Sequence, residues 1–274
     1  MQKISGSRIA DEIIESLRAR PTPKNFLAMF VVGDHPQTVS FVAQKEKIAA
    51  KLGADFRVYR QPADISSDGL RREIHRIADG SRCGGVVLQL PLPAGVSAGY
   101  CVNAIPASKD VDVLSERAMG ALSAGRAKIF PPALVAVQHI LRSIGTPITE
   151  YKKVVIVGCG PLVGRPLAVW LAGTVPHLTV LDKGASYDAL GDADMVISGT
   201  GVAGLIRGDM IKKDAVLIDF GYGMNVDGKV SGDIDEESLR ASGFTGHYTP
   251  TPGGTGPLVV AGLFENFYFL TAAE

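Results

Sequence analysis

The sequence predicts an α/β protein with two αβ domains, over residues 1–140 and 141–256. Short apolar runs that fit buried parallel strands recur along the 274 residues, and stretches of helical periodicity separate them. Most of the 32 glycines lie after residue 150, which indicates two segments with different loop chemistry. A glycine turn at 158–164 joins an apolar run to a helical stretch, as in doubly wound αβ domains.

The first domain opens with a predicted helix, because Ile9, Ile13 and Leu17 recur every four residues along one face. Two apolar runs, each short enough for a buried strand, follow with helical stretches between them. The strands are predicted at 26–32 and 84–90, and the helices at about 38–52 and 66–79. The alternation of strands and helices predicts a parallel sheet with crossover helices.

The second domain repeats this alternation more sharply. Its buried strands are predicted at 153–157, 178–181, 195–198 and 216–219. Residues 257–274 are mostly apolar and long enough for a helix buried on several sides, so we expect this C-terminal helix to pack back on the first domain.

Composition limits the class of protein, its partners and its cellular location. The chain has 28 Lys and Arg against 28 Asp and Glu, which gives no reason to expect nucleic acid or an anionic membrane as partner. Its 46% of hydrophobic residues exclude a disordered chain. Three cysteines without a C-x-x-C pair, and scattered histidines, predict neither disulfides nor a metal site. We expect a reducing, cytoplasmic location, since no apolar stretch approaches the roughly 18 residues of a membrane span.

The glycine turn of the second domain is a candidate dinucleotide site. Gly158, Gly160 and Gly164 would let backbone N–H groups approach a pyrophosphate, and the following helix adds positive charge at its N-terminus. Asp182 ends the next predicted strand, close to the roughly 20-residue spacing of a ribose-binding acid. The turn is one residue longer than G-x-G-x-x-G, so a turn without ligand and a solvated aspartate remain alternatives.

Three proline-containing motifs, in one order, are more specific than this turn. They are Gln89-Leu90-Pro91-Leu92-Pro93, Pro106-Ala107-Ser108-Lys109-Asp110-Val111-Asp112 and Thr249-Pro250-Thr251-Pro252-Gly253-Gly254-Thr255-Gly256-Pro257, with Val163-Gly164-Arg165-Pro166 between the last two. From about residue 3 to 270 the chain therefore resembles the methylenetetrahydrofolate dehydrogenase/cyclohydrolases of folate one-carbon metabolism.

This resemblance implies a folate-binding catalytic first domain and a Rossmann-like second domain for NADP or NAD, with the active site in the cleft between them. Hydride would leave 5,10-methylenetetrahydrofolate for the nicotinamide, and water would open the methenyl product to 10-formyltetrahydrofolate. The resemblance also implies a homodimer and no metal.

The resemblance assigns roles to three residues of the first domain. Lys45 falls on the essential lysine, Gln89 on the glutamine that orients it, and Asp112 on the carboxylate that binds the pterin N–H donors. A desolvated lysine with a lowered pKa would suit proton transfer. From the residues alone, Lys45 reads as solvated and Gln89 as an ordinary strand end. Asp110 is expected to cap a turn.

The remaining predicted contacts also follow from the resemblance, and ordinary loop geometry is the alternative for several of them. For folate they are Phe41, Leu90, Pro252, Gly253 and Gly254; for the cofactor they are Gly158, Cys159, Gly160, Val163, Gly164, Arg165, Asp182, Gly199, Thr200, Gly201 and Tyr222.

Several positions depart from the family pattern. On the folate side, Phe41 replaces a tyrosine and so removes a hydroxyl, and Val113 replaces a glycine. Ala118 stands in place of an asparagine, and Pro131-Pro132-Ala133-Leu134 in place of Pro-Cys-Thr-Pro.

Two departures on the cofactor side bear on NAD against NADP. Cys159 takes the place of an arginine, and Asp182 puts a carboxylate where a 2′-phosphate would lie. NAD is therefore favoured over the NADP habit of the family, although Lys183 would restore some attraction. Cys159 is expected to fill the turn, with a reactive thiol as the alternative.

Two other functions stay open. The fold could have kept only the dehydrogenase or only the cyclohydrolase activity, or it could be a non-catalytic folate- or dinucleotide-binding paralogue. Lys45 with its orienting partner Gln89 argues against pure binding, whereas Phe41 leaves that alternative open.

Overall fold

The computed structural model describes residues 1–33, 36–224 and 228–272. In chain order its strands are β1 Gln2–Lys3, β2 Phe26–Val32, β3 Phe56–Gln61, β4 Cys83–Leu88, β5 Lys153–Val157, β6 His177–Leu181, β7 Met195–Ser198, β8 Val216–Asp219, β9 Gly223–Met224, β10 Val230–Ser231 and β11 His247–Tyr248. Its α-helices are α1 Gly6–Arg18, α2 Pro36–Leu52, α3 Ser67–Ala78, α4 Ala98–Val102, α5 Glu116–Ser123, α6 Pro132–Ile144, α7 Gly164–Leu171, α8 Glu236–Ala241 and α9 Thr255–Thr271. Across the described ranges, every helix is too short or too polar to span a membrane.

The chain divides into two compact units, which we name by their main sheets. The six-stranded unit combines Met1–Asp11 with Ala133–Val259, and the three-stranded unit combines Glu12–Pro132 with Val260–Glu274. Each contains parallel strands connected through helices, as the α/β fold class predicts.

The unit boundaries differ from the predicted domains of 1–140 and 141–256. The first eleven residues group with the six-stranded unit because β1 pairs in parallel with β11. The predicted boundary falls inside α6, and the chain changes unit at the first residue of that helix. Of the C-terminal stretch, residues 260–272 belong to the three-stranded unit, whereas 273 and 274 lie outside the described residues.

The three-stranded sheet has the order β3-β2-β4, and both pairings are parallel. All residues of the central strand β2 are buried, as expected for a strand covered on both faces. Strand β3 lies between the two predicted helices and completes the alternation of strands and helices. Around Phe30, side chains from β4 and α3 form the core, including Leu70, Ile74 and Leu88.

The six-stranded sheet has the order β1-β11-β8-β7-β5-β6, with every pairing parallel. The four predicted strands are present as β5 to β8. Strands β6 and β7 lie on opposite sides of β5, so the chain reverses its direction across the sheet there. In open α/β sheets, ligands bind at such a point, outside the carboxyl ends of the strands.

Candidate active site

Lys45 lies on the buried face of α2. Val42 and Ala49 are on the same face and are almost fully buried, and the spacing of three and four residues brings Lys45 into line with them. Only 8% of Lys45 is exposed, whereas Lys47 on the same helix is exposed. The solvated alternative for Lys45 is therefore wrong.

Gln89 holds the Lys45 ammonium group. It directly follows β4, and its backbone N–H donates to the carbonyl of Phe30, which continues the ladder with β2. Its side-chain Oε1 accepts from Lys45 Nζ at 2.9 Å, and its Nε2 donates to the Leu90 carbonyl at 2.7 Å. Because both ends of the amide are engaged, the carbonyl end is fixed toward the lysine.

Lys45 and Asp112 shift each other's charge state. Burial lowers the pKa of Lys45, and the nearby Asp112 carboxylate opposes this effect. Burial raises the pKa of Asp112 to about 6, against the attraction of Lys45. Burial therefore favours the neutral amine of Lys45, the form that can accept a proton. The half-buried carboxylate of Asp112 can accept N–H donors from a ligand.

The turn that carries Asp112 is strongly constrained. Asp110 accepts the backbone N–H groups of Leu114 at 3.2 Å and Ser115 at 2.8 Å, so its predicted capping role is confirmed. Among the described residues, Val113 is the one non-glycine with a left-handed backbone, at φ 56°. For a β-branched residue this conformation costs roughly 1–3 kcal/mol, which explains the glycine typical of the family.

Asn266, which the sequence reasoning missed, supports the same turn from α9. Its buried amide donates to the Val111 carbonyl at 2.8 Å and to the Phe130 carbonyl at 2.7 Å. Both amide protons are therefore used on the backbone beside Asp112 and beside the proline segment at 131. No local sequence pattern predicts this role, because Asn266 lies 155 and 136 residues away from the two carbonyls that it contacts.

Phe41 and Leu90 flank the lysine–glutamine pair. The Phe41 ring centroid lies 6.0 Å from Lys45 Nζ, at the outer limit of a cation–π contact. Leu90 directly follows Gln89, and its side chain packs against the core cluster of the three-stranded unit. Phe41 therefore faces the ammonium group without offering it a hydroxyl.

In the six-stranded unit, the glycine turn after β5 fits a pyrophosphate. Gly158 has φ 94°, which permits the sharp turn. A Cβ on Gly160 would meet no atom within 4 Å, so a ligand can approach its backbone, whereas a Cβ on Gly164 would lie 1.9 Å from the Gly158 carbonyl oxygen. These are the three glycine roles of dinucleotide-binding turns: turning, backbone approach and close helix–strand packing.

The neighbouring strand ends bring further predicted residues to this turn. Gly158 N–H donates to the Leu181 carbonyl at 2.8 Å, which brings the residue before Asp182 against the turn. A Cβ on Gly199 would lie 3.1 Å from the Val163 side chain. Arg165 Nε donates to the Cys159 carbonyl at 3.1 Å. Asp182 is exposed and accepts the Lys183 N–H at 2.9 Å.

The last predicted contacts lie elsewhere in the same unit. The cofactor turn, Gly199-Thr200-Gly201, follows β7, and Tyr222 lies just beyond β8. Of the predicted folate contacts Pro252, Gly253 and Gly254, the carbonyl of Gly253 accepts the Ser7 N–H at 3.1 Å, at the start of α1. All of these belong to the six-stranded unit, whereas Lys45, Gln89 and Asp112 belong to the three-stranded unit. Their roles toward folate or cofactor remain predictions.

Comparison with known proteins identifies the family of the chain. The family description "Tetrahydrofolate dehydrogenase/cyclohydrolase, catalytic domain" matches residues 4–112, and "Tetrahydrofolate dehydrogenase/cyclohydrolase, NAD(P)-binding domain" matches residues 131–274. The chain belongs to this family. The glycine turn at 158–164 lies within the part of the chain that matches the NAD(P)-binding domain.

Whole-length relatives agree with this assignment. The bifunctional protein FolD of Heliobacterium modesticaldum is 34% identical and covers 98% of this chain and 95% of its own. The solved bifunctional FolD enzyme of Campylobacter jejuni has a TM-score of 0.92 at 28% identity and covers 99% of both chains. A Trypanosoma brucei FolD structure, complexed with NADP cofactor and inhibitor, has a TM-score of 0.88 at 29% identity and covers 98% of this chain and 96% of its own.

Proposed function

We propose that this protein oxidises 5,10-methylenetetrahydrofolate to 5,10-methenyltetrahydrofolate with a nicotinamide cofactor and hydrolyses that product to 10-formyltetrahydrofolate. The observation that carries the proposal is the hydrogen bond of 2.9 Å between the buried Lys45 Nζ and Gln89 Oε1, near Asp112. Burying a lysine costs the desolvation of its charge, and a chemical task for the amine accounts for keeping it buried. Full-length relatives named as bifunctional FolD support the two reactions.

Three residues of the three-stranded unit, Lys45, Gln89 and Asp112, have distinct tasks in this proposal. Asp112 accepts N–H donors of the pterin and orients the folate. Lys45, as the neutral amine that burial favours, takes a proton from water as the water oxygen bonds to the methenyl carbon. The same group returns the proton to the folate nitrogen as the carbon–nitrogen bond breaks. Gln89 keeps Nζ directed at this position, because its own amide is fixed by the Leu90 carbonyl.

The glycine turn and the cofactor turn would hold the nicotinamide dinucleotide. Bound there, a nicotinamide would supply the acceptor for the hydride that leaves the one-carbon bridge. The open space beside Gly160 would let a pyrophosphate approach that part of the turn, and the N-terminus of α7 would add partial positive charge there. The proposal needs no metal.

We propose that NAD is used at least as well as NADP. Asp182, exposed at the end of β6, accepts the ribose hydroxyls of NAD and repels a 2′-phosphate. Cys159 supplies no cation for that phosphate. Lys183 offsets part of the repulsion, so we expect discrimination rather than exclusion.

The proposal includes a homodimer in the cytoplasm, on the ground of family resemblance. The unpaired cysteines Cys83, Cys101 and Cys159 fit a reducing compartment. Light scattering on the purified chain measures the mass: twice the chain mass of 28.8 kDa supports the dimer, and a single chain mass contradicts it.

Purified protein tests the two reactions directly. It is incubated with 5,10-methylenetetrahydrofolate and either NAD⁺ or NADP⁺ while reduced nicotinamide and methenyl product are followed at separate wavelengths. The proposal expects both to appear and the methenyl signal then to decay faster than without enzyme. If nicotinamide is reduced without accelerated decay of the methenyl signal, the protein is a dehydrogenase alone. If neither signal appears, the proposal is contradicted.

A further inference from the structure

Two buried carboxylates in the six-stranded unit have no task in the mechanism above. Asp219, the last residue of β8, is 1% exposed, and Asp233, just after β10, is fully buried. Asp219 accepts the backbone N–H groups of Gly221 at 2.7 Å, Asp233 at 3.2 Å and Ile234 at 3.0 Å. The Asp219 carboxylate therefore holds the backbone that carries Asp233.

Asp233 makes its own contacts with the cofactor turn. Its Oδ2 accepts the Ser198 hydroxyl at 2.5 Å and the backbone N–H of Thr200 at 2.7 Å. Ser198 ends β7, and Thr200 is the central residue of the turn. Hydrogen bonds to a charged acceptor are short and strong, so this carboxylate fixes both the entry to the turn and its apex.

Two glycines, Gly221 and Gly232, lie directly against these carboxylates. A Cβ on Gly221 would lie 2.1 Å from Asp233 Oδ1, and a Cβ on Gly232 would lie 2.0 Å from Asp219 Oδ2. The pair also reaches the last proline motif, because Asp219 N–H donates to Thr249 Oγ1 at 2.8 Å and its carbonyl accepts the Thr255 hydroxyl at 2.6 Å.

Burying Asp219 and Asp233 side by side costs folding free energy. Burial, together with the charge of Asp233, raises the pKa of Asp219 to about 7. Within the described ranges, Asp233 Oδ1 has no hydrogen-bond partner. A buried oxygen without a donor is rare in native structures, because its desolvation costs free energy.

We propose that Asp233, held by Asp219, is a positioning residue that fixes the cofactor turn in the shape that binds the nicotinamide dinucleotide. This inference rests on the proposed function of that turn. Asp233 is too deeply buried to touch a ligand, so it acts through Thr200 and Ser198. Its loss therefore weakens cofactor binding while the folate chemistry around Lys45 continues.

Asp233→Ala tests this inference by calorimetric titration with NAD⁺ and with NADP⁺, and by methenyltetrahydrofolate hydrolysis without cofactor. We expect both dissociation constants to rise about ten- to a hundredfold, the range of one hydrogen bond to a charged group, with hydrolysis unchanged. Asp233→Asn, which retains an acceptor for the Thr200 N–H, should bind nearly like the parent. Asp235→Asn is the matched control, because Asp235 caps α8 through Ser238 and a capping asparagine serves equally well.

Hydrogen exchange gives a second readout that does not depend on activity. Peptides covering the cofactor turn should exchange faster in Asp233→Ala than in the parent or the control. If Asp233→Ala does not fold, Ser198→Ala removes one of the two donors to Asp233 and should weaken cofactor binding by a smaller factor. If Asp233→Ala folds and binds the cofactor with parental affinity, the inference is overturned. If only Ser198→Ala folds, parental cofactor affinity in that variant overturns it. A parent that binds neither nucleotide overturns the proposed function and this inference with it.

Discussion

Replacing Lys45 by methionine separates the chemistry of this residue from its packing. Methionine has a similar length and fills the same buried position without a charge. Gln89 Oε1 loses its donor at 2.9 Å, which costs about 1–3 kcal/mol. The cost of desolvating the amine, which lowers the pKa of Lys45, disappears at the same time. Because these terms oppose each other, we expect the midpoint of thermal unfolding to change little.

The rate of hydrolysis should respond quite differently. General acid–base assistance contributes about 10²–10⁴-fold, which corresponds to about 2.7–5.4 kcal/mol of transition-state stabilisation. We expect a loss of kcat for methenyltetrahydrofolate hydrolysis in this range. The folate KM should change little, because Asp112 and not Lys45 holds the pterin.

The assay compares initial rates of methenyltetrahydrofolate decay for the parent, Lys45→Met and Lys47→Met. Lys47 is exposed on the same helix, so its replacement controls for the loss of a positive charge. Parental hydrolysis by folded Lys45→Met would refute the assignment of proton transfer to Lys45. An equal loss in Lys47→Met would show that net charge, rather than the buried amine, matters.

Four further substitutions test other parts of the account. Asp112→Asn should raise the folate KM about tenfold or more while the cofactor KM stays constant. Folate binding by the parent should weaken as pH falls through about 6, because protonation of Asp112 removes the acceptor. Steady-state kinetics at several pH values measure both effects. Asp182→Ser should raise the ratio of kcat/KM for NADP to that for NAD, and an unchanged ratio would contradict the role of the strand-end carboxylate. Phe41→Tyr should accelerate at least one of the two reactions, by about tenfold at most, since it adds a hydroxyl near Lys45; a folded variant slower in both would show a pocket rebuilt around phenylalanine. Asn266→Leu should raise the folate KM and leave direct NAD⁺ binding intact, and equal losses in both would assign Asn266 a purely structural role.

The sequence predicted those parts of the fold that depend on local pattern. The runs 154–157 and 216–218 are continuous and apolar because central strands of a parallel sheet are buried on both faces. Strands β1 and β11 have two residues each and show no periodicity, so their pairing was not predictable. That pairing places the first eleven residues in the six-stranded unit and explains why the domain boundaries differed.

The candidate site shows the same division between local and distant information. Motifs identified Lys45, Gln89 and Asp112. The chemistry of these residues depends on their burial, which the amino-acid sequence alone does not show. Asn266 was missed because a single asparagine in an apolar helix has meaning only through the carbonyls it contacts, far away in sequence. The strain at Val113 follows from a backbone angle, and the sequence hinted at it only as a departure from glycine.

Nuclear magnetic resonance titration of the Lys45 side-chain nitrogen tests the central claim most directly, with Lys45→Met to assign the signal. The account expects Lys45 to titrate below the ordinary value of 10.5, with the same midpoint as the pH dependence of hydrolysis, because a buried amine handles the proton. Titration near 10.5 would contradict the claim that Lys45 is the proton-transfer group.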